Sequence, residues 1–321
     1  AEGADFKKVL QGTHPAFKDG DKTPAGADPK HRAGWDLTFS APKSVSLAIL
    51  VGGDRRLDVA HNKAVDRAMV YAEKHFAITR VRDQGKIREV NTGNLVYAKT
   101  VHGTSRQGDP QRHTHVVVAN ATVEPSTGKV RALESYQLFK HIQLVGRIYR
   151  AELAKEALAL GYDVRRDAKA GTFELASFGE QQLRQFSKRR EQIEAALAIE
   201  EKRKGSPLTG AQKDALALRD RPKKLDTPRA ELIARWGAES KAAGLDAKAL
   251  TDAAKERGSS GRDTSTLVSG VSSDAASRFV AALRRLTGRT DQSPAAEPYG
   301  HRKTDLVLSL IHISEPTRRR G

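Results

Sequence analysis

The densest chemistry in the 321-residue sequence lies in one stretch, His102-Gly-Thr-Ser-Arg-Gln-Gly-Asp109-Pro110-Gln-Arg-His113-Thr-His115, which runs on into Val-Val-Val-Ala-Asn120. In an extended strand residues two apart share a face, so His113 and His115 project together with Thr114 opposite. If the ten-residue polar loop Gly103 to Arg112 closes a hairpin, His102 returns alongside them. Three neutral imidazoles on one side, with no fourth protein ligand obvious, describe a metal site with open coordination positions, the catalytic rather than the structural pattern. Open positions accept a phosphate oxygen, so the reaction class suggested is metal-assisted chemistry on a phosphodiester. Such a donor set suits several divalent ions, among them Mg, Mn, Ni and Zn. The competing reading is that a three-residue His-x-His at a strand edge is ordinary exposed histidine.

Asp36 is the natural companion. The run Asp36-Leu37-Thr38-Phe39-Ser40 alternates as a half-buried strand does, with Asp36, Thr38 and Ser40 on one face. A carboxylate on a neighbouring strand can accept an N–H from a ligand histidine and fix its tautomer, or take a proton from a nucleophile. Spacing alone equally allows an Asp that caps the following helix. Pro42 in a first turn, with Ser40 near to cap it, fits Pro42 to Val51 as helical. A strand running into a helix N-terminus is a natural anion site, although most such junctions bind nothing.

The remaining elements must hold these groups in place. Residues 1 to 34, rich in Gly, Pro, Lys and Asp, read as an irregular lead-in. Leu57, Ala60, Ala64, Val65, Ala68, Ala72 and Phe76 recur three or four apart and predict an amphipathic helix over 55–78. Ile87 to Val101 and the run headed by Val116 to Val118 read as strands. Helical patterns return over 137–160 and 181–204, separated by two short strands around Gly171 within Tyr162 to Leu175. Strands that come as hairpin neighbours predict an α+β fold, an antiparallel sheet covered by helices, and argue against a doubly wound parallel sheet.

Composition narrows the partners. Lys and Arg number 56 against 39 Asp and Glu, and the resulting charge of +17 predicts a polyanion. Residues 184 to 224 hold twelve basic side chains against six acidic ones, either a phosphate-tracking face or a solvated one. With no cysteine, disulfide scaffolds and thiolate metal sites are excluded, and any metal must sit on histidine and carboxylate. The longest apolar stretch, Val45 to Val51, falls far short of the roughly 18 residues a membrane span needs, and no leader pattern opens the chain, so a cytoplasmic location is expected. The first residue is Ala1 and the single Met is Met69, which reads as a fragment boundary. Trp35 and Trp236 are either base-stacking platforms or, the commoner case, core residues. Arg257 to Ser277, rich in Ser, Gly, Thr and Asp, reads as a linker.

Gly34-Trp-Asp-Leu-Thr-Phe-Ser-Ala-Pro-Lys-Ser-Val-Ser46, Thr92-Gly-Asn94, His102 through Asn120, Gly171-Thr-Phe-Glu-Leu175 and Phe186-Ser-Lys-Arg-Arg-Glu-Gln-Ile193 occur in an order similar to that of the MobF-type conjugative relaxases, the TraI and TrwC kind. The resemblance runs from about residue 5 to 250. It implies a histidine-hydrophobe-histidine (HUH) endonuclease that nicks one strand at a plasmid transfer origin through a tyrosine, which becomes linked to the 5′-phosphate. It implies His102, His113 and His115 as the divalent-metal triad, and Asp36 as the acid that orients a ligand histidine and assists tyrosine deprotonation. The implied fold is a five-stranded antiparallel palm flanked by helices, with a finger-like helical extension that grips DNA. Lys43, Arg106, Arg112, Lys188, Arg189 and Arg190 are the expected DNA contacts.

Further expectations follow from the resemblance. The partners are single-stranded and hairpin DNA at the transfer origin, relaxosome accessory proteins and a coupling protein, in a bacterium carrying the gene on a plasmid or integrative element. Residues 1–250 are expected to form the relaxase domain without its N-terminal tyrosine segment, and 251–304 a linker and the start of a downstream region, with an amphipathic beginning at Ala275 to Leu286. Residues 305–321 read as translated sequencing-adapter sequence. Thr114 departs from the family's hydrophobe, although the His-Thr-His form is familiar in this branch. Tyr71, Tyr97, Tyr136, Tyr149, Tyr162 and Tyr299 match no nucleophile position, so the chain is expected to be incomplete for cleavage, and a helicase region is not in view. Two alternatives stand beside this reading: a non-catalytic single-stranded DNA-binding module with structural or exposed histidines, and a replication-initiator nuclease of the same metal class.

Overall fold

In the computed structural model, which describes residues 2–11, 32–167, 171–219 and 227–259, the order of elements alternates between helices and strand pairs. Helix α1 (Glu2–Gln11) precedes strand β1 (Gly34–Ser40), helices α2 (Lys43–Leu50) and α3 (Arg55–Phe76), and strands β2 (Ile78–Asp83), β3 (Lys86–Asn91), β4 (Tyr97–Thr104) and β5 (Pro110–Ala119). Short strands β6 (Thr122–Val123) and β7 (Val130–Arg131) lead to helices α4 (Ser135–Lys140) and α5 (Ile142–Ala159). Strands β8 (Val164–Asp167) and β9 (Thr172–Leu175) follow, then helices α6 (Glu180–Gln185), α7 (Lys188–Lys204), α8 (Gly210–Arg219), α9 (Arg229–Ala242) and α10 (Ala247–Ser259).

The central sheet has the order β1-β5-β4, with both pairings antiparallel. Of the five palm strands implied by the resemblance, three are joined in this sheet among the described residues. The other strands pair as hairpins, β2-β3, β6-β7 and β8-β9. Strand β5 is central because its even-numbered positions are apolar or bonded in the core. Val116 and Val118 are fully buried and Thr114 is 1% exposed, facing the same side as Leu37 and Phe39 of β1.

Helices α2, α3 and α5 cover that side. In α3, Ala60, Ala64, Ala68 and Ala72 recur every four residues, all buried, and this ridge of small side chains lets α3 pack closely against its neighbours. Asp54 caps α3 by accepting from Arg56 N–H. Arg67 pairs with Glu152 and Glu156, and Lys63 pairs with Glu156, along the α3–α5 seam.

Four expectations need correction. Residues 2–11 are helical, because Phe6, Val9 and Leu10 present an apolar edge that packs on Ala98 and Ala119 of the sheet's other face. The 137–160 pattern breaks at His141, whose ring stacks on Phe76 at 4.5 Å. The 181–204 pattern breaks at Phe186 and Ser187, because Phe186 turns fully into the core before α7 begins. Ser40 does not cap α2: no side chain of the preceding residues does so, and the carboxylate of Glu174 on β9 takes the amides of Lys43 (3.3 Å) and Ser44 (2.8 Å) instead. The junction considered as an anion site is thus filled by the chain's own anion.

Helix α10 continues to Ser259, with Thr251 and Ala254 buried, so the compositional change at Arg257 begins inside a helix. The rest of the linker, Ala275 to Leu286, and residues 305–321 lie outside the described residues.

Candidate metal centre

Odd-numbered residues of β5 face away from the core, which puts His113 and His115 on one surface of the sheet. Antiparallel pairing sets His102 directly opposite His113, so the hairpin closes with all three imidazoles on that surface. The ladder slips by one residue between His102 and Thr104, a bulge next to the first histidine that re-aims the strand there. Ligand atoms of His102, His113 and His115 all lie within 4.8 Å of one another. Their ring centroids are 5.1–5.2 Å apart with planes crossed at 63–79°, an arrangement that points the rings toward a common centre without stacking them. Each is half-buried, and among the described residues no other group of three or more His or carboxylate side chains gathers in this way.

Hydrogen bonds fix the tautomers. His115 Nδ1 lies 2.7 Å from Asp36 Oδ2, and Thr38 Oγ1 approaches the same nitrogen at 3.1 Å. Asp36 sits two residues before Thr38, the direct partner of His115, and so lies diagonal to His115 across the ladder. His113 Nδ1 donates to the carbonyl of Gln111 at 3.0 Å. A carboxylate and a carbonyl only accept, so both Nδ1 atoms carry the proton and Nε2 is the unprotonated nitrogen of each ring. Two imidazoles so prepared, with His102 beside them, fit a divalent ion with coordination positions left over. Asp36 does not cap α2, whose N-terminal amides belong to Glu174.

The turn of the β4–β5 hairpin is held from two sides. Gly108 adopts φ +72°, and a Cβ there would stand 2.4 Å from Arg235 Nη2. Its carbonyl accepts from Trp236 Nε1 (2.7 Å) and Arg235 Nη2 (2.6 Å) of α9. Trp236 is therefore a core residue, 4% exposed, rather than a base-stacking platform, and Trp35 is likewise buried. Asp109, fully buried, accepts from the Lys188 amide at the start of α7 at 3.1 Å. Burial raises the Asp109 carboxyl against the pull of Lys43 and Lys188. Burial lowers Lys43 to about 8, opposed by Asp109 and Glu174 and reinforced by Lys188.

The expected DNA contacts divide on this geometry. Lys43 Nζ donates to the Pro110 carbonyl at 3.0 Å, Arg112 pairs with Asp58, and Lys188 Nζ lies 2.6 Å from Glu239. These three cations hold the hairpin from within. Arg189 donates to the Ala217 carbonyl at 2.8 Å and so joins α7 to α8. Arg190, with its side chain 79% exposed, pairs along its own helix with Glu194. Arg106 is half-buried in the hairpin turn. Sequence reasoning missed Glu174, His61 and the α9 grip on Gly108. Their partners lie 131, 53 and 128 residues away, beyond any local pattern.

The family described as TrwC relaxase matches residues 1–243. The multifunctional conjugation protein TraI of Escherichia coli is 38% identical over 259 residues, covering 78% of this chain, and the protein of that name from strain K12 is 37% identical over the same length. The chain spans 14% of the length of these relatives. Among solved structures, the conjugative relaxase TrwC in its copper-bound complex with oriT DNA superposes with a TM-score of 0.70 at 41% identity, over 77% of this chain and 83% of that one. TrwC complexed with a 27-mer DNA comprising the recognition hairpin and the cleavage site gives a TM-score of 0.69 at 40% identity, over 77% and 87%.

Proposed function

The chain belongs to the TrwC relaxase family, and from that premise we propose that it is the DNA-binding and metal-binding core of a relaxase acting at a transfer origin during conjugation. The observation that carries this reading is the convergence of His102, His113 and His115 on one sheet face, with Asp36 on His115. A divalent ion on these nitrogens would supply the charge that polarises a phosphodiester oxygen. The chain's own residues do the rest. Asp36 and the Gln111 carbonyl hold two rings in the tautomer with the proton on Nδ1, and Asp36 is also placed to take a proton on the same surface. That related TrwC structures carry oriT DNA and metal supports the same substrate and cofactor class here.

No nucleophile is assigned among the described tyrosines. Tyr149 and Tyr162 are buried, with their hydroxyls bonded to His61 and Asp54, and Tyr149 lies on the core side of β5, opposite the histidines. Tyr71 and Tyr97 pack against the core, and Tyr136 is exposed on α4. The activity proposed for the described residues is capture of hairpin and single-stranded DNA with a metal at the phosphate. Arg106, Arg189 and Arg190 are the proposed DNA contacts. The proposed setting is a bacterial cytoplasm, with accessory and coupling proteins as partners; no helix among the described residues is long and apolar enough to cross a membrane.

The test is fluorescence anisotropy on a hairpin oligonucleotide with a single-stranded tail, with divalent metal and with chelator. The relaxase reading expects chelator and His113→Ala to weaken binding. Indifference to both would favour a non-catalytic binding module.

A further inference from the structure

The threonine that replaces a hydrophobe between the two ligand histidines has a partner in the core. Thr114 Oγ1 lies 2.7 Å from His61 Nε2, and His61 Nδ1 lies 2.8 Å from the Tyr149 hydroxyl. All three are buried, at 1%, 0% and 1% exposure. A neutral imidazole has one N–H and one bare nitrogen, so His61 donates to one hydroxyl and accepts from the other, and no nitrogen is left unpaired. The ring also packs edge-on against Tyr149, which packs edge-on against Phe39 of β1.

Core filling alone does not call for this chain of polar groups. Valine, leucine and phenylalanine would occupy the same space without three buried groups that must all be paired. What the hydrogen bonds add is direction. Apolar packing is indifferent to small slides, whereas a hydrogen bond fixes distance and angle. The bond reaches β5 at the one residue flanked on both sides by candidate ligands, and it comes from two different helices, α3 directly and α5 through Tyr149.

We propose that His61 and Tyr149 are positioning residues for the metal centre, fixing through Thr114 the setting of β5 and hence the convergence of His113 and His115 on His102. The proposal rests on the assignment of the three histidines as metal ligands.

Calorimetric titration of the chain with Mn²⁺ and with Ni²⁺, paired with thermal melts, tests it. Thr114→Val is expected to weaken metal binding about tenfold, the scale of removing a hydrogen bond that supports a ligand, while Thr114→Ser, which keeps the hydroxyl, stays within about twofold. The double variant His61→Leu with Thr114→Val removes the bond from both sides, leaves the buried Tyr149 hydroxyl without its partner, and is expected to melt below the wild type and to bind as weakly as Thr114→Val. Tyr149→Phe reads the same device from its far end should Thr114→Val fail to fold, with a smaller loss expected. Wild-type affinity in a folded Thr114→Val or in the double variant would overturn the proposal and leave the ligand assignment intact. A wild-type chain that binds neither ion would remove the ligand assignment itself.

Discussion

The three histidines show what a single residue type at a given spacing does. Period two puts His113 and His115 on one face, and a closing hairpin returns His102 to them; both facts are local, and both are legible in the sequence. The strand of Asp36 is legible for the same reason, but which role its carboxylate plays depends on β1 pairing with β5, across 79 residues of chain. Lys43 is among the DNA contacts expected beside the family resemblance; only the fold shows that it turns inward to Pro110 and that burial lowers it to about 8. Its sign is definite. A lysine whose charge is disfavoured in the folded state opposes folding below about pH 8, and that penalty fades as pH rises toward the ordinary value of 10.5. Relative to Lys43→Met, the wild type should therefore gain stability between pH 8 and 10, by up to about 3 kcal/mol. Urea unfolding of both proteins at pH 7.5 and pH 10 measures the change, and a constant difference would contradict it.

Elements are legible where periodicity is long and uninterrupted, as in α3, and where short strands flank a glycine, as in β8 and β9. They depart from the sequence pattern where tertiary contacts override its continuity. Phe186 cuts 181–204 into α6 and α7, and His141 cuts 137–160 into α4 and α5, because each ring has a place in the core or on Phe76. The start of α2 makes the same point through polar groups. Glu174 reaches from β9 to the amides of Lys43 and Ser44 and to the Ser44 hydroxyl at 2.5 Å, replacing the cap that Ser40 does not provide. Ser44 in turn accepts from the Leu175 amide, so the two elements lock reciprocally. Glu174→Ala leaves a buried hydroxyl and two helix amides without this acceptor and should cost about 1–3 kcal/mol, read by thermal or urea unfolding. A loss within error would mean that solvent replaces the carboxylate at no cost.

At the scale of the molecule, charge +17 and the basic count over 184–224 point to a polyanion, but composition does not separate cations that face solvent from those that hold the fold. The structure makes that separation: Arg112 and Lys188 support the hairpin, while Arg190 stands outward on α7 and Arg189 lies across the α7–α8 seam. The helical extension thus has an inner side that grips the hairpin turn through Lys188, Arg235 and Trp236, and an outer side on which Arg190 is exposed. For single-stranded DNA, affinity should fall steeply with salt, and Arg189→Gln with Arg190→Gln should flatten the log–log slope by about 0.7 for each phosphate no longer neutralised. Arg112→Gln should instead lower stability, since it leaves Asp58 without its partner in the fold. An unchanged slope in the double variant would place the DNA path elsewhere.

All of these scales meet in the histidine cluster, and its occupancy is the most direct question to ask. Isothermal titration of the purified chain with Mn²⁺ and with Ni²⁺ should give one binding event per chain, abolished in the His113→Ala, His115→Ala double variant with secondary structure intact by circular dichroism. Undiminished metal affinity in that folded double variant would contradict the metal centre and the function built on it.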